Sequence, residues 1–251
     1  MTGGRTESAL ASAQELADEF GMDVDEVRRL CVEEEIPLVD DRAERREFAE
    51  QLAGLRARQA GESHDSWPDV VADAARLAER NGFYLSVSPL VGRFLAVLAA
   101  TVPPNGRILE LGTGAGVGTA WLLSGLGDRT DVEVVTVELQ RVKTLPRWPD
   151  WVRAVEGDAV QLLPTLGTFD LVFADATGGK WEGVELTIAA LAPRGMLVFD
   201  DMLPQTWWSD THRERTKAAA DAVTSHPHLV SVDLPVPGGV LFAVRHTDGN
   251  G

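Results

Sequence analysis

A chain of 251 residues hides roughly 70–75% of its unfolded surface on folding, so its core needs no staple. Cys31, the single cysteine, rules out an internal disulfide and argues against a cysteine-built zinc site. The net charge of −16 argues against a nonspecific nucleic-acid binder, which needs basic surface to displace counterions. The N-terminus is polar and no apolar run nears the ~20 residues that span a bilayer, so a cytoplasmic protein with no membrane partner is expected.

Residues 1–65 are charged and helical in pattern, and residues 66–251 alternate apolar strand-like runs with helical stretches. Gly61 to Ser66 reads as the joint. In the first region the spacing predicts helices over Ala13–Phe20 and Asp25–Glu34, with Asp23 as N-cap and Glu26 three residues on. Leu16, Phe20, Val24, Val27 and Leu30 would share a small core. A third, amphipathic helix runs over Ala43–Arg58, with Phe48, Leu52 and Leu55 on one side.

From Trp67 onward helices are expected over Asp69–Asn81 and Leu90–Ala100, the second starting just past Pro89, where proline suits a first turn. Strands follow at Arg107–Leu111, Val132–Val137, Trp151–Val155, Phe169–Ala174 and Met196–Phe199. Helices are expected from Val117, over Gly183–Leu191 and over Glu214–Thr224. Leu229–Leu234 and Val240–Val244 flank a proline- and glycine-rich turn and form an antiparallel hairpin. The fold class is therefore α/β: a seven-stranded, mostly parallel, Rossmann-like sheet with an antiparallel last strand and an N-terminal helical extension.

The densest information is in RILELGTGAGVGTAWLL, residues 107–123. A buried strand runs into Gly112, Gly114, Gly116 and Gly118 and then into a helix, as suits a ligand pressed onto bare backbone at a strand's carboxyl end. The dinucleotide pattern G-x-G-x-x-G fails in both registers, because the third glycine would fall on Val117 or Thr119. Glu110 instead supplies an anion suited to a cationic ligand. Glu138 ends the second strand and can accept both ribose hydroxyls of a nucleoside. Asp158 follows the third strand, where it either meets the cofactor's base or caps a helix.

Strand four runs into Asp175, and strand five into Asp200 and Asp201. Carboxylates converging at one sheet edge repel unless a cation or proton offsets them, and hard oxygen donors favour Mg²⁺ or a similar divalent ion. Trp181, Trp207 and Trp208 would either wall a flat acceptor or cap the core, and His212 is an alternative base.

ELGTGAG resembles motif I of class I S-adenosylmethionine-dependent methyltransferases, and residues 84–245 resemble the catechol and caffeoyl-CoA O-methyltransferase family. SVSPLVGRFLAVL is similar to that family's opening loop and helix, and FADA and FDD to its two metal segments. The resemblance implies S-adenosylmethionine held by Ser88, Glu110, Gly112, Thr113, Gly114, Gly116, Glu138, Asp158, Ala159 and Asp175. It implies a divalent metal on Asp175, Asp200 and Asp201, and catalysis by Lys180 and Asp175 on a hydroxylated small molecule, with Lys180 as the base. Two departures stand out. The family's third ligand is usually Asn where this chain has Asp201, and its lysine usually lies closer in sequence to the aspartate. Gly178-Gly179 would have to loop out to bring Lys180 back; otherwise Lys180 is a surface residue.

ELADEFGMDVDEVRRLCVEEEIP, residues 15–37, resembles the helix-turn-helix of excisionase-type regulators, with Arg28 and Arg29 on the recognition helix followed at once by Glu33, Glu34 and Glu35. A helical cap or a homodimerisation arm is the other reading of this region. The rival functions are a nicotinamide-dependent oxidoreductase, opposed by the glycine spacing, and a ligand-sensing transcriptional regulator, opposed by the acidity.

Overall fold

The computed structural model describes residues 10–22, 24–33, 36–59, 64–140, 146–205, 208–236 and 238–247. Asp23, Glu34, Glu35 and Trp207, and the side chains of Glu26, Glu33 and Leu55, lie outside that description. No helix among the described residues is long and apolar enough to cross a membrane.

The N-terminal unit is built as β1 (Leu10–Ser12), α1 (Ala13–Phe20), α2 (Val24–Glu33), β2 (Arg42–Glu44) and α3 (Arg45–Gln59). Ser12 caps α1 in a reciprocal box with Glu15, and Gly21, in the left-handed region at φ 68°, ends the helix. Leu16, Val27, Leu30, Phe48 and Leu52 are buried together, with Phe20 and Val24 packed against them. The pairing of β1 with β2, Ala11 opposite Ala43, had no sequence signal, since three residues are too few for a period-2 pattern.

The larger unit begins with α4 (Asp69–Arg80) and α5 (Pro89–Thr101). Ser88 caps α5 and Pro89 fills its first turn. There follow β3 (Arg107–Leu111), α6 (Val117–Leu126), β4 (Glu133–Glu138), β5 (Val152–Glu156), α7 (Ala159–Leu166), β6 (Phe169–Ala174), α8 (Thr177–Lys180), α9 (Val184–Ala189), β7 (Leu191–Phe199), α10 (Asp210–Thr224), β8 (Leu229–Leu234) and β9 (Val240–Arg245). The seven strands run in the order β5-β4-β3-β6-β7-β9-β8. All neighbours are parallel except β9, which is antiparallel to both β7 and β8. The expected sheet, with one reversed strand at the end of the chain, is what forms.

Strand alternation divides the core between the two faces. Ile108, Val134, Leu171 and Val198 pack with α4, α5 and α6 on one side. Leu109, Leu111, Val135, Val172 and Leu197 pack with α7, α9 and α10 on the other. Two elements differ from expectation. α7 forms around Pro164, a residue that argues against a helix when read alone. β7 starts at Leu191, which pairs with Phe169 before a register shift; the bulge hid its first half from a strictly alternating reading. The chain runs outward from β3 to β4 and β5 and then crosses back to β6 on the other side of β3, and this reversal opens a crevice at the carboxyl ends of β3 and β6.

Candidate active site

Glu110 sits in mid-sheet between Thr136 on β4 and Phe173 on β6, its register partners. Alternation puts it on the Ile108 face, under α6. There Thr119 donates a short hydrogen bond to its Oε2, and Thr136 donates to the same oxygen at 2.5 Å. The Thr113 hydroxyl, 2.6 Å from that of Thr136, supplies a proton to it, since Thr136 directs its own at Glu110. Glu110 is fully buried, and its Oε1 has no hydrogen-bond partner among the described residues. Burial pushes its carboxyl up to about 8 against the help of the two threonines, and the nearby Asp175 and Glu138 charges add to the rise. Such a group gains most from a cation placed beside it.

The turn after β3 can close against its neighbours only because it lacks side chains. Gly112 has φ 102°, and a Cβ there would lie 2.6 Å from the backbone oxygen of Asp175. A Cβ on Gly118 would lie 2.4 Å from Glu110 Oε1. Glu138 ends β4 facing the same turn, with Oε2 accepting from the Gly114 amide at 2.8 Å and Oε1 3.4 Å from Arg29 of α2. These residues, with Ser88, Thr113, Asp175, Lys180, Asp200 and Asp201, line one cleft that opens to solvent. Bare backbone, a buried carboxylate with an open acceptor and a strand-end acid together fit a nucleoside carrying a positive charge.

Three expected contacts behave differently. Asp158 caps α7 through the Val160 amide at 2.8 Å and the Gln161 side chain at 3.0 Å, and neither it nor Ala159 is among the cleft-lining residues. Gly116 is the N-cap of α6 with φ 87°, and a Cβ there would meet the Trp148 ring at 2.6 Å.

At the other end of the cleft the chain does loop out at Gly178 and Gly179, the latter at φ 94° with Leu111 2.3 Å from where a Cβ would sit. This brings Lys180 back to the strand ends. Its side chain is buried, 4% exposed, with Nζ 3.3 Å from Asp175 Oδ1 and 3.2 Å from the Asp200 carbonyl. Lys180 is therefore no surface residue. Asp200 is held well above the usual carboxylate range by burial and by Asp201 and Asp175, opposed by the Asp201 amide and Lys180. Among the described residues no three His, Cys, Asp or Glu side chains are placed to hold a metal ion. The cation against Asp175 is an ammonium, and the Asp200 Oδ1 accepts from the Asp201 amide at 2.8 Å. The donor set as folded does not fit a resident divalent ion.

The walls here are aromatic. His212 is buried between Trp208, at 4.2 Å between ring centres, and Trp181, at 4.6 Å edge-on, and Lys180 Nζ lies 4.7 Å from the Trp181 ring centre. Trp208 and His212 are almost wholly buried, so only a margin of each reaches the cleft beside Trp181.

Sequence reasoning missed Thr119, Thr136, Phe83 and the placement of Arg29. Thr136 had a signal, a polar residue inside the apolar run VVTVE at the register of Glu110. Arg29 had none, because its partner is over a hundred residues away.

A family model described as a methyltransferase domain matches residues 109–202. A protein of Mycolicibacterium smegmatis described as an O-methyltransferase is 35% identical over 197 residues, which cover 70% of this chain and 91% of the relative. A catechol O-methyltransferase of Mycobacterium tuberculosis is 39% identical over 142 residues, covering 52% of this chain and 60% of that protein. Among solved structures, the O-methyltransferase TomG of Streptomyces achromogenes, in complex with S-adenosylmethionine, superposes with a TM-score of 0.57 at 21% identity, covering 71% of this chain and 90% of its own. A Bacillus cereus O-methyltransferase in complex with S-adenosylhomocysteine gives 0.59 at 19%, covering 76% and 99%. These two likenesses are of fold.

Proposed function

Because the chain belongs to the class I S-adenosylmethionine-dependent O-methyltransferases, we propose that it methylates a hydroxyl of a small aromatic acceptor held against Trp181, Trp208 and His212. The observation that carries this reading is the buried ammonium of Lys180, at the floor of an aromatic-walled cleft whose other end is the bare turn beside Glu110.

When bound, S-adenosylmethionine supplies an electrophilic methyl group on a sulfonium. Glu110 and the Thr113–Gly114 backbone hold the cationic end, and Glu138 holds the ribose hydroxyls. Asp158 and Ala159, at the start of α7, are proposed for the base side, with Ser88 at the opposite rim. A phenol of pKa ~10 is about 0.1% ionised at pH 7, a handicap of roughly 4 kcal/mol. The Lys180 ammonium meets this handicap by donating to the acceptor oxygen and stabilising its ionised form, the phenol proton leaving to solvent as the acceptor enters, while Asp175 fixes the ammonium in place. Exclusion of water by the tryptophan walls strengthens the attraction between the ionised oxygen and the methyl donor.

A divalent ion on Asp175, Asp200 and Asp201 is not part of this proposal, since the Lys180 ammonium already sits against Asp175. Methyl transfer to a panel of phenols and catechols tests the scheme. Activity is expected to persist in EDTA; loss on chelation with recovery in Mg²⁺ would return the ion to the three aspartates. Lys180→Met is expected to lower kcat by about 10²-fold or more while leaving S-adenosylhomocysteine affinity near wild type.

A further inference from the structure

Arg29, on the helix whose sequence resembles a recognition helix, points into the methyltransferase cleft. Its Nη1 is 3.4 Å from Glu138 Oε1, and its Nη2 donates to the Gln140 carbonyl at 2.9 Å. The guanidinium lies 5.7 Å from the centre of the Phe83 ring, which itself fills the space a Cβ on Gly114 would take. Arg29 and Glu138 side chains are only 20% and 14% exposed. Its neighbour Arg28 is directed to Asp25 and Asp41 within the N-terminal unit. Arg28 is half exposed but ion-paired to acids of its own unit, and Arg29 faces the cleft.

We propose that Arg29 is a positioning residue for the cofactor, holding Glu138 in the orientation that accepts the ribose hydroxyls, so that the N-terminal unit is a working part of the nucleoside site. The inference rests on the reading of Glu138 given above. Three features carry it. Glu138 is one of several acids along this cleft, with Glu110, Asp175, Asp200 and Asp201, and without a cation its carboxylate would be pushed from them and toward solvent. The Gly114 amide holds one oxygen and Arg29 faces the other, which fixes the plane of the carboxylate. Each carboxylate oxygen has two acceptor sites, so both retain capacity for a hydroxyl. Arg29 is itself fixed by the Gln140 carbonyl and the Phe83 face. It orders the acid without occupying the space beside the glycine turn.

The test is calorimetric titration of the full chain with S-adenosylhomocysteine and with adenosine. Arg29→Met keeps an apolar stem over Phe83 and removes the charge, and Arg29→Lys restores the charge without the fork. Arg29→Met is expected to raise Kd for both ligands by about tenfold, with Arg29→Lys intermediate. KM for S-adenosylmethionine should rise in parallel while kcat changes less than twofold. In Glu138→Gln, adding Arg29→Met should cause no further loss of affinity. If Glu138→Gln weakens binding but Arg29→Met and Arg29→Lys bind as wild type, Arg29 does not position the acid and the inference fails alone. Tighter binding by Arg29→Met would overturn it as well, since the arginine would then compete with the ligand. Unchanged affinity in Glu138→Gln would overturn the ribose reading and this inference together.

Discussion

Glu110 concentrates the physical tension of the site in one side chain. It is a carboxyl with no exposure, two threonine donors on one oxygen and none among the described residues on the other. Its folded pKa of about 8 stands above the ordinary value of 4.5, so between these two values the folded chain binds more protons than the unfolded chain. Stability from this group is full below about pH 4.5 and falls as pH rises through 8. Glu110→Gln is expected to abolish that loss, so that urea unfolding at pH 9 finds the variant more stable than wild type while the two converge near pH 4. The same proton links to the ligand. A cation beside Glu110 favours its ionised form, so wild-type affinity for S-adenosylmethionine should strengthen as pH rises from 6 to 8, and Glu110→Gln should bind more weakly with that slope removed. A flat wild-type profile in calorimetry would remove Glu110 from the cationic end of the site.

Between elements, the close packing of α5 on α6 holds the cofactor turn in place. Gly125 lets α6 approach so closely that a Cβ would lie 2.0 Å from the Ala96 carbonyl oxygen, which is backbone and cannot turn aside. Gly125→Ala is expected to cost at least the 1–3 kcal/mol typical of overpacking, read as a lower urea midpoint. Because α6 carries Thr119 to Glu110, the displaced helix should also weaken S-adenosylhomocysteine binding. Most of these elements could be read from the chain: the strands around the glycine turn fall within one or two residues of expectation. Those that escaped had physical reasons. α7 contains a proline, β7 carries a bulge, and β1 and β2 are too short to show a period.

On the scale of the whole molecule, the N-terminal unit has its own apolar centre, against which Tyr84 and Leu85 from the loop after α4 also pack. Cys31 lies inside that centre, and burial raises its thiol to about 12. A thiol reagent at pH 8 should therefore modify Cys31 far more slowly than it modifies the unfolded chain, at a rate set by opening of this unit. Since Arg29 links the unit to the cofactor edge, saturating S-adenosylhomocysteine should slow the labelling further. A rate indifferent to ligand would mean that the two units open independently of the cofactor.

The sequence by itself determined the sheet, its reversed last strand, the side-chain-free turn and the acids that end its strands. These are local properties: alternation, glycine spacing and the residue at a strand's carboxyl end are all written within a few positions of one another. Only the tertiary structure turned Lys180 inward to Asp175, made Asp158 a helix cap, paired Glu110 with Thr119 and Thr136, and laid Arg29 against Glu138. Each of these outcomes depends on the position and burial of groups from separate elements. A side chain's charge is legible in the chain, but what it costs to bury and which partner offsets it are set by what folding brings alongside.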